Sequence, residues 1–202
     1  MKKVLILYFI AMTAFILYST EVFGISVGSR PLVKSVQYVS GTIVAGEAGK
    51  NETITAVNLN STIVLSMGSE GADDDPTVLT RVWLADSTTV TLNKGGTTSN
   101  TVDAKAVVIE FEPGSIKSFQ TGYVTIINTA ASGNAAITTA VDTDRAIVFW
   151  QGNANAAANT VNDVAITLEL TSAVLLTATR IGTAGEAKVG YSVVEFHEWV
   201  GP

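Results

Sequence analysis

The side chains able to do chemistry are few and scattered. His197 is the only histidine in 202 residues, and cysteine is absent. A covalent nucleophile needs a base within hydrogen-bond reach. With one His, no Cys and no G-x-S-x-G elbow, no nucleophile–base pair can be drawn. His197 lies beside Glu195, Glu198 and Trp199, a set that could offer a metal one imidazole and two carboxylates. Adjacent residues at a strand end point to opposite faces, so an exposed tail residue is expected instead. Glu110 and Glu195 recur at matching places, but two acids that flank one bond must stand about 5–10 Å apart. Nothing in the sequence brings these two together, and an outward position or a link to Lys34 and Lys117 is expected. Asp73, Asp74 and Asp75 follow Glu70 in one long loop. Clustered carboxylates can take Ca²⁺ as oxygen ligands, but the spacing is not that of an EF-hand, and a solvated acidic loop is the first expectation. Trp83, Arg81 and Trp199 are candidate interface or ligand residues, since Trp buries area and Arg anchors partners. Trp150 sits inside an apolar run and is expected in the core. No enzyme activity, catalytic residue or cofactor is expected.

The bulk composition agrees. Hydrophobic residues make up 47% of the chain and charged ones 15%, enough apolar material for a core and too little charge for disorder. The net charge is −6, and no Lys/Arg cluster occurs beyond Lys2-Lys3, so nucleic acid is not an expected partner. Val, Ile and Thr, stiff at χ1, suit a pleated sheet. Asn51 and Asn60 match N-x-[ST], the glycan acceptor pattern of exported archaeal or eukaryotic chains and chance elsewhere.

Residues 1–24 form a basic start followed by an apolar run from Val4 to Tyr18. This reads as a secretory signal peptide, short of the roughly 20 residues a membrane span needs. Retention as an N-terminal hydrophobic helix stands level with cleavage, and the membrane would then be met only through residues 4–18. Residues 25–32 are a linker, or a donor strand once a signal is removed.

The rest of the chain repeats itself. Val33-Lys34-Ser35-Val36-Gln37 recurs as Ile116-Lys117-Ser118-Phe119-Gln120, and Thr42-Ile43-Val44 as Thr125-Ile126-Ile127. Ile63-Val64-Leu65 and Gly68 recur as Ile147-Val148-Phe149 and Gly152. The copies close on Val108-Ile109-Glu110-Phe111 and Val193-Val194-Glu195-Phe196. The offset stays between 83 and 86, so the copies differ by small loop indels. They meet at Glu112-Pro113-Gly114-Ser115, a linker too short to let them move far apart.

Each copy shows about six strand signals divided by Gly-, Asn- and Asp-rich turns. Val164 to Leu170 alternates as a strand with one buried face, and Val78, Val82 and Leu84 mark the same face in the first copy, leaving Arg81 and Trp83 together on the other. Ile63 to Met67 and Ile147 to Trp150 are continuous apolar runs, expected as central strands covered on both sides. The Ala/Asn-rich stretch from Gly152 to Asn159 is expected to be a loop. The fold expected is all-β: two tandem small antiparallel β-sandwich domains, residues 33–112 and 115–197, after an N-terminal hydrophobic helix.

A unit that opens on Lys-Ser-(apolar)-Gln, passes a Thr-Ile strand and ends on Val-Val-Glu-Phe resembles repeats in tailed-phage virion structural and tail-fibre proteins. The second copy is nearer, through Thr177-Ala178-Thr179-Arg180 and Tyr191-Ser192-Val193-Val194-Glu195-Phe196; the first has Leu92-Asn93-Lys94 in place of Ala178-Thr179-Arg180. The resemblance covers most of residues 33–196 and not the N-terminal segment. It implies a non-enzymatic, assembly-forming fibre, spike or decoration protein on a virion surface, partnered by copies of itself and other virion proteins. The alternatives are an exported subunit of a cell-surface or extracellular filament, and a glycan-binding adhesin using Trp83.

Overall fold

The computed structural model describes residues 32–71, 79–96, 100–155, 163 and 165–197. The hydrophobic N-terminal segment, most of the 25–32 stretch, the acidic triplet Asp73, Asp74 and Asp75, and Trp199 lie outside these residues.

The described residues are all-β, with twelve strands and no α-helix. The first copy supplies β1 (Val33–Ile43), β2 (Gly49–Thr53), β3 (Thr62–Gly71), β4 (Arg81–Asp86), β5 (Thr89–Asn93) and β6 (Val102–Phe111). The second supplies β7 (Ile116–Ile126), β8 (Ser132–Ala136), β9 (Ala146–Asn155), β10 (Ile166–Ser172), β11 (Leu175–Arg180) and β12 (Ala187–Phe196). The sequence repeat is thus matched strand for strand. The joint between the copies is a single 3-10 turn, Pro113–Ser115, with Pro at its start and the Ser115 hydroxyl donating to the Glu112 carbonyl at 2.7 Å.

Pairing repeats as well. Strands β1, β6 and β3 form one antiparallel sheet in that order, and β7, β12 and β9 pair in the same order in the second copy. Strands β2, β5 and β4 pair in the first copy as β8, β11 and β10 do in the second. The symmetry is broken in one place. Arg81 of β4 bridges to Gly152 of β9, which fuses two of these three-stranded sets into a six-stranded sheet, β2-β5-β4-β9-β12-β7.

Period-2 burial explains why these segments pair as they do. In β1 the inward set includes Val39 and Ile43, while Lys34, Val36 and Tyr38 point out. Apolar residues of the first copy, Val39, Ile43, Val82, Val90, Leu92 and Val108 among them, make one buried cluster. Val124, Ile126, Leu176, Val189 and Val193 belong to a second. Burying a side chain of this size stabilises by about 1.5–3 kcal/mol, so each copy has a core of its own. All these strands nevertheless belong to one compact unit, Val33–His197.

Three expectations are corrected. Trp150 is 44% exposed and Ile147 49% exposed, on the stretch of β9 that precedes its bridge to β4. Strand β3 is an edge strand and not a central one, with Ile63 and Val64 buried but Met67 only half-buried. Finally, Gly152 to Asn155, expected in a loop, complete β9 and are fully buried against the first copy; neighbours from another strand override the turn preference of Asn.

Candidate functional site

The polar residues that recur in the two copies meet in the same contacts. Lys34 Nζ lies 2.8 Å from Glu110 Oε1, and Lys117 Nζ lies 2.7 Å from Glu195 Oε1. Both carboxylates are buried and both lysines half-exposed. The Ser35 hydroxyl and the Asn58 backbone N–H also donate to Glu110. Burial pushes the Glu110 carboxyl up, but the bonds from Lys34, Asn58 and Ser35, with the Lys34 charge, outweigh it and hold the group below its ordinary value.

The repeated glutamine works as a two-pronged backbone clip. Gln37 Nε2 donates to the Thr55 carbonyl at 3.0 Å while Gln37 Oε1 accepts from the Thr55 N–H at 2.8 Å. Gln120 does the same to Thr139 at 2.7 and 2.9 Å. Each clip ties the first strand of its copy to the segment after the second. The Lys-Ser-x-Gln and Glu-Phe motifs are therefore fastenings within each copy.

Lys94 and Arg180 form a third matched pair. Both are buried at the end of the equivalent strand. Lys94 Nζ donates to the carbonyls of Asn100 at 2.6 Å and Val44 at 3.4 Å. Arg180 donates to five carbonyls, including Ile127 at 3.2 Å and Gly185 at 2.8 Å, which stand where Val44 and Asn100 stand in the first copy. Burial pushes the pKa of each cation below its ordinary value. Lys94 lies in an Asn-Lys-Gly-Gly stretch, and sequence reasoning did not single it out. The recurrence of a cation at this point in both copies was the signal that could have found it.

The candidate ligand residues Arg81 and Trp83 do share one face of β4, as the alternation predicts, and that face meets the second copy. The Arg81 guanidinium lies 4.2 Å from the centre of the Trp83 ring and 4.7 Å from that of Tyr123 on β7. Such contacts are worth about 0.5–2 kcal/mol each, more where water is excluded. Burial pushes the Arg81 pKa below its usual value, and its Nε has no hydrogen-bond partner among the described residues. A cleft of about 330 Å³ opens beside it, lined by Leu59, Phe119, Tyr123 and Gln151 among others. Tyr123 carries half of this contact and was missed, because nothing in the sequence placed it opposite β4. With Arg81 seated on Trp83, that face of the indole is closed to a sugar.

The remaining candidates stand apart. His197 is exposed, and its backbone N–H donates to the Ser115 carbonyl at 3.1 Å. Asn51 and Asn60 are exposed. Among the described residues no group of three His, Cys, Asp or Glu side chains is placed to hold a metal ion, and no helix is long and apolar enough to cross a membrane. No family model, curated protein or solved structure matches the chain.

Proposed function

We propose that the chain is a non-enzymatic structural protein, and specifically a virion component: a fibre, spike or decoration protein. In this reading it presents two tandem β-sandwich modules outward from an N-terminal hydrophobic helix. The observation that carries it is the use made of the repeated polar residues. Lys34–Glu110 and Lys117–Glu195, the clips of Gln37 and Gln120, and the buried Lys94 and Arg180 are matched between copies and spent on holding each copy together. Selection on such a pattern favours a rigid, repeated display unit, as in other arrays built from duplicated modules. The resemblance of these motifs to tailed-phage virion repeats supports the same reading.

Mass spectrometry of purified virus particles from the source of this chain tests it. The chain is expected there in structural amounts. Its absence from particles would refute the virion reading, and recovery from isolated cell-surface filaments would favour the exported-subunit alternative in its place.

A further inference from the structure

The junction between the copies has counterparts, by the repeat, that take no part in it. In the first copy, β4 and the turn after β5 form a groove that is filled by the end of β9. A methyl group on Gly152 would collide with the Thr80 carbonyl and meet the Ser66 side chain at 2.9 Å; one on Gly95 would lie 3.1 Å from the Ala154 Cβ. Gly152 needs to be glycine twice over, since its φ is +82°.

By the strand pairings, Ser66, Thr80, Arg81 and Gly95 correspond in the second copy to Trp150, Ile166, Thr167 and Ile181. Three of these, Ile166, Thr167 and Ile181, line an open groove of about 390 Å³ together with Ala165, Thr179 and Arg180. Ile181 in the groove is 77% exposed, and Trp150, at the position of Ser66, is 44% exposed. The strand that fills the first groove has its counterpart as well. Gly68 on β3 matches Gly152, shares its left-handed backbone with φ +105°, and a methyl group there would meet nothing within 4 Å. Where Gly152, Asn153, Ala154 and Asn155 are buried, Gly68 and Glu70 are exposed and Ser69 and Gly71 half-buried. Strand β3 is the last strand of its sheet, the position at which a further strand can be added.

We propose that a second copy of this chain is the occupant: the Gly68–Gly71 stretch of one molecule docks in the Ile166/Thr167/Ile181 groove of the next. The contact uses, between molecules, the counterparts of the internal junction. It joins two different surfaces, so it propagates head to tail and does not close as a symmetric dimer. Ile181 is larger than Gly95, so the approach is offset from the internal one rather than identical to it. The inference rests on sheet edges and the groove, and it extends the structural reading without depending on a virion in particular.

The chain has no cysteine, so single cysteines report directly on the contact. Glu70 corresponds to Ala154 and Ile181 to Gly95, and Cβ atoms in a disulfide stand about 3.5–4.5 Å apart. Full-length Glu70→Cys and Ile181→Cys chains, mixed under mild oxidation, are expected to give mainly the mixed disulfide. A Tyr38→Cys partner for Ile181→Cys should give about tenfold less, as should adding Trp150→Glu to the Ile181→Cys chain. All four substituted positions are exposed, so folding is retained, and an unchanged unfolding midpoint checks this. Mixed disulfide no more abundant than the Tyr38 control, or homodisulfides in excess, would overturn the proposal. Particle composition is measured separately, so failure here leaves the virion reading standing and failure there leaves this one.

Discussion

Arg180 is where a single substitution should tell most about how each copy is held. Its guanidinium donates to the carbonyls of Ala130, Asp163, Ala184, Ile127 and Gly185 at 2.8 to 3.4 Å, and the residue is 5% exposed. Arg180→Met keeps much of the side-chain volume and removes all five donors. The residues bearing two of the acceptors, Asp163 and Gly185, are themselves buried, and a buried polar group left unpaired costs about 1–3 kcal/mol. The other three lie on half-buried or exposed residues and can turn to water. The expected loss is therefore about 3–5 kcal/mol, tempered because a charge no longer has to be desolvated. For a chain of this size that is about 6–20 °C in Tm. Arg180→Lys should lose less, about 1–3 kcal/mol, because Lys94 holds the two equivalent carbonyls of the first copy with one ammonium group. Urea unfolding of wild type and the two variants, read by tryptophan fluorescence, gives the order directly. A loss under about 1 kcal/mol for Arg180→Met, or Arg180→Lys as damaging as Arg180→Met, would refute the idea that the carbonyl cage is what holds this cation in place.

Other outcomes follow from the same contacts. The Glu110 carboxyl is depressed in the folded state, so the unfolded chain binds more protons and stability rises with pH. This contribution is complete above the unfolded carboxylate value of about 4.3 and is lost as pH falls through the lower folded value; Glu110→Gln should flatten the urea midpoint between about pH 5 and pH 2 relative to wild type. Gly152→Ala and Gly68→Ala meet the same left-handed backbone, but only the former also strikes the Thr80 carbonyl. Gly152→Ala should therefore be the more destabilising by about 1–3 kcal/mol in thermal unfolding. Gln37→Ala removes both prongs of one backbone clip, and Gln120→Ala both prongs of the other. Both clips are exposed to water, so each should cost about 1–2 kcal/mol by chemical denaturation, and the two losses should add.

Much of this architecture was legible in the residues. The duplicated Lys-Ser-x-Gln and Glu-Phe motifs marked the first and last strands of each copy, and their lysines and glutamates pair as the repeat implies. The alternation around Val82 and Leu84 put Arg81 and Trp83 on one face. Pairing between copies was not legible. A single bridge from Arg81 to Gly152 brings β4 against β9, and periodicity within either strand is the same with or without that partner. This is why Gly152 to Asn155 read as a loop and Trp150 as core. Burial there is decided by which neighbour arrives, a long-range fact that local propensity does not carry. Lys94 was missed for a related reason: its turn residues are polar, but its ammonium is held by two backbone carbonyls.

Cryo-electron microscopy of the native particle tests the central claim most directly. Density is expected at the particle surface into which the Val33–His197 unit fits in many copies, each with its six strands per repeat. A map that assigns every surface density to other chains, with this chain found free and monomeric, would contradict it.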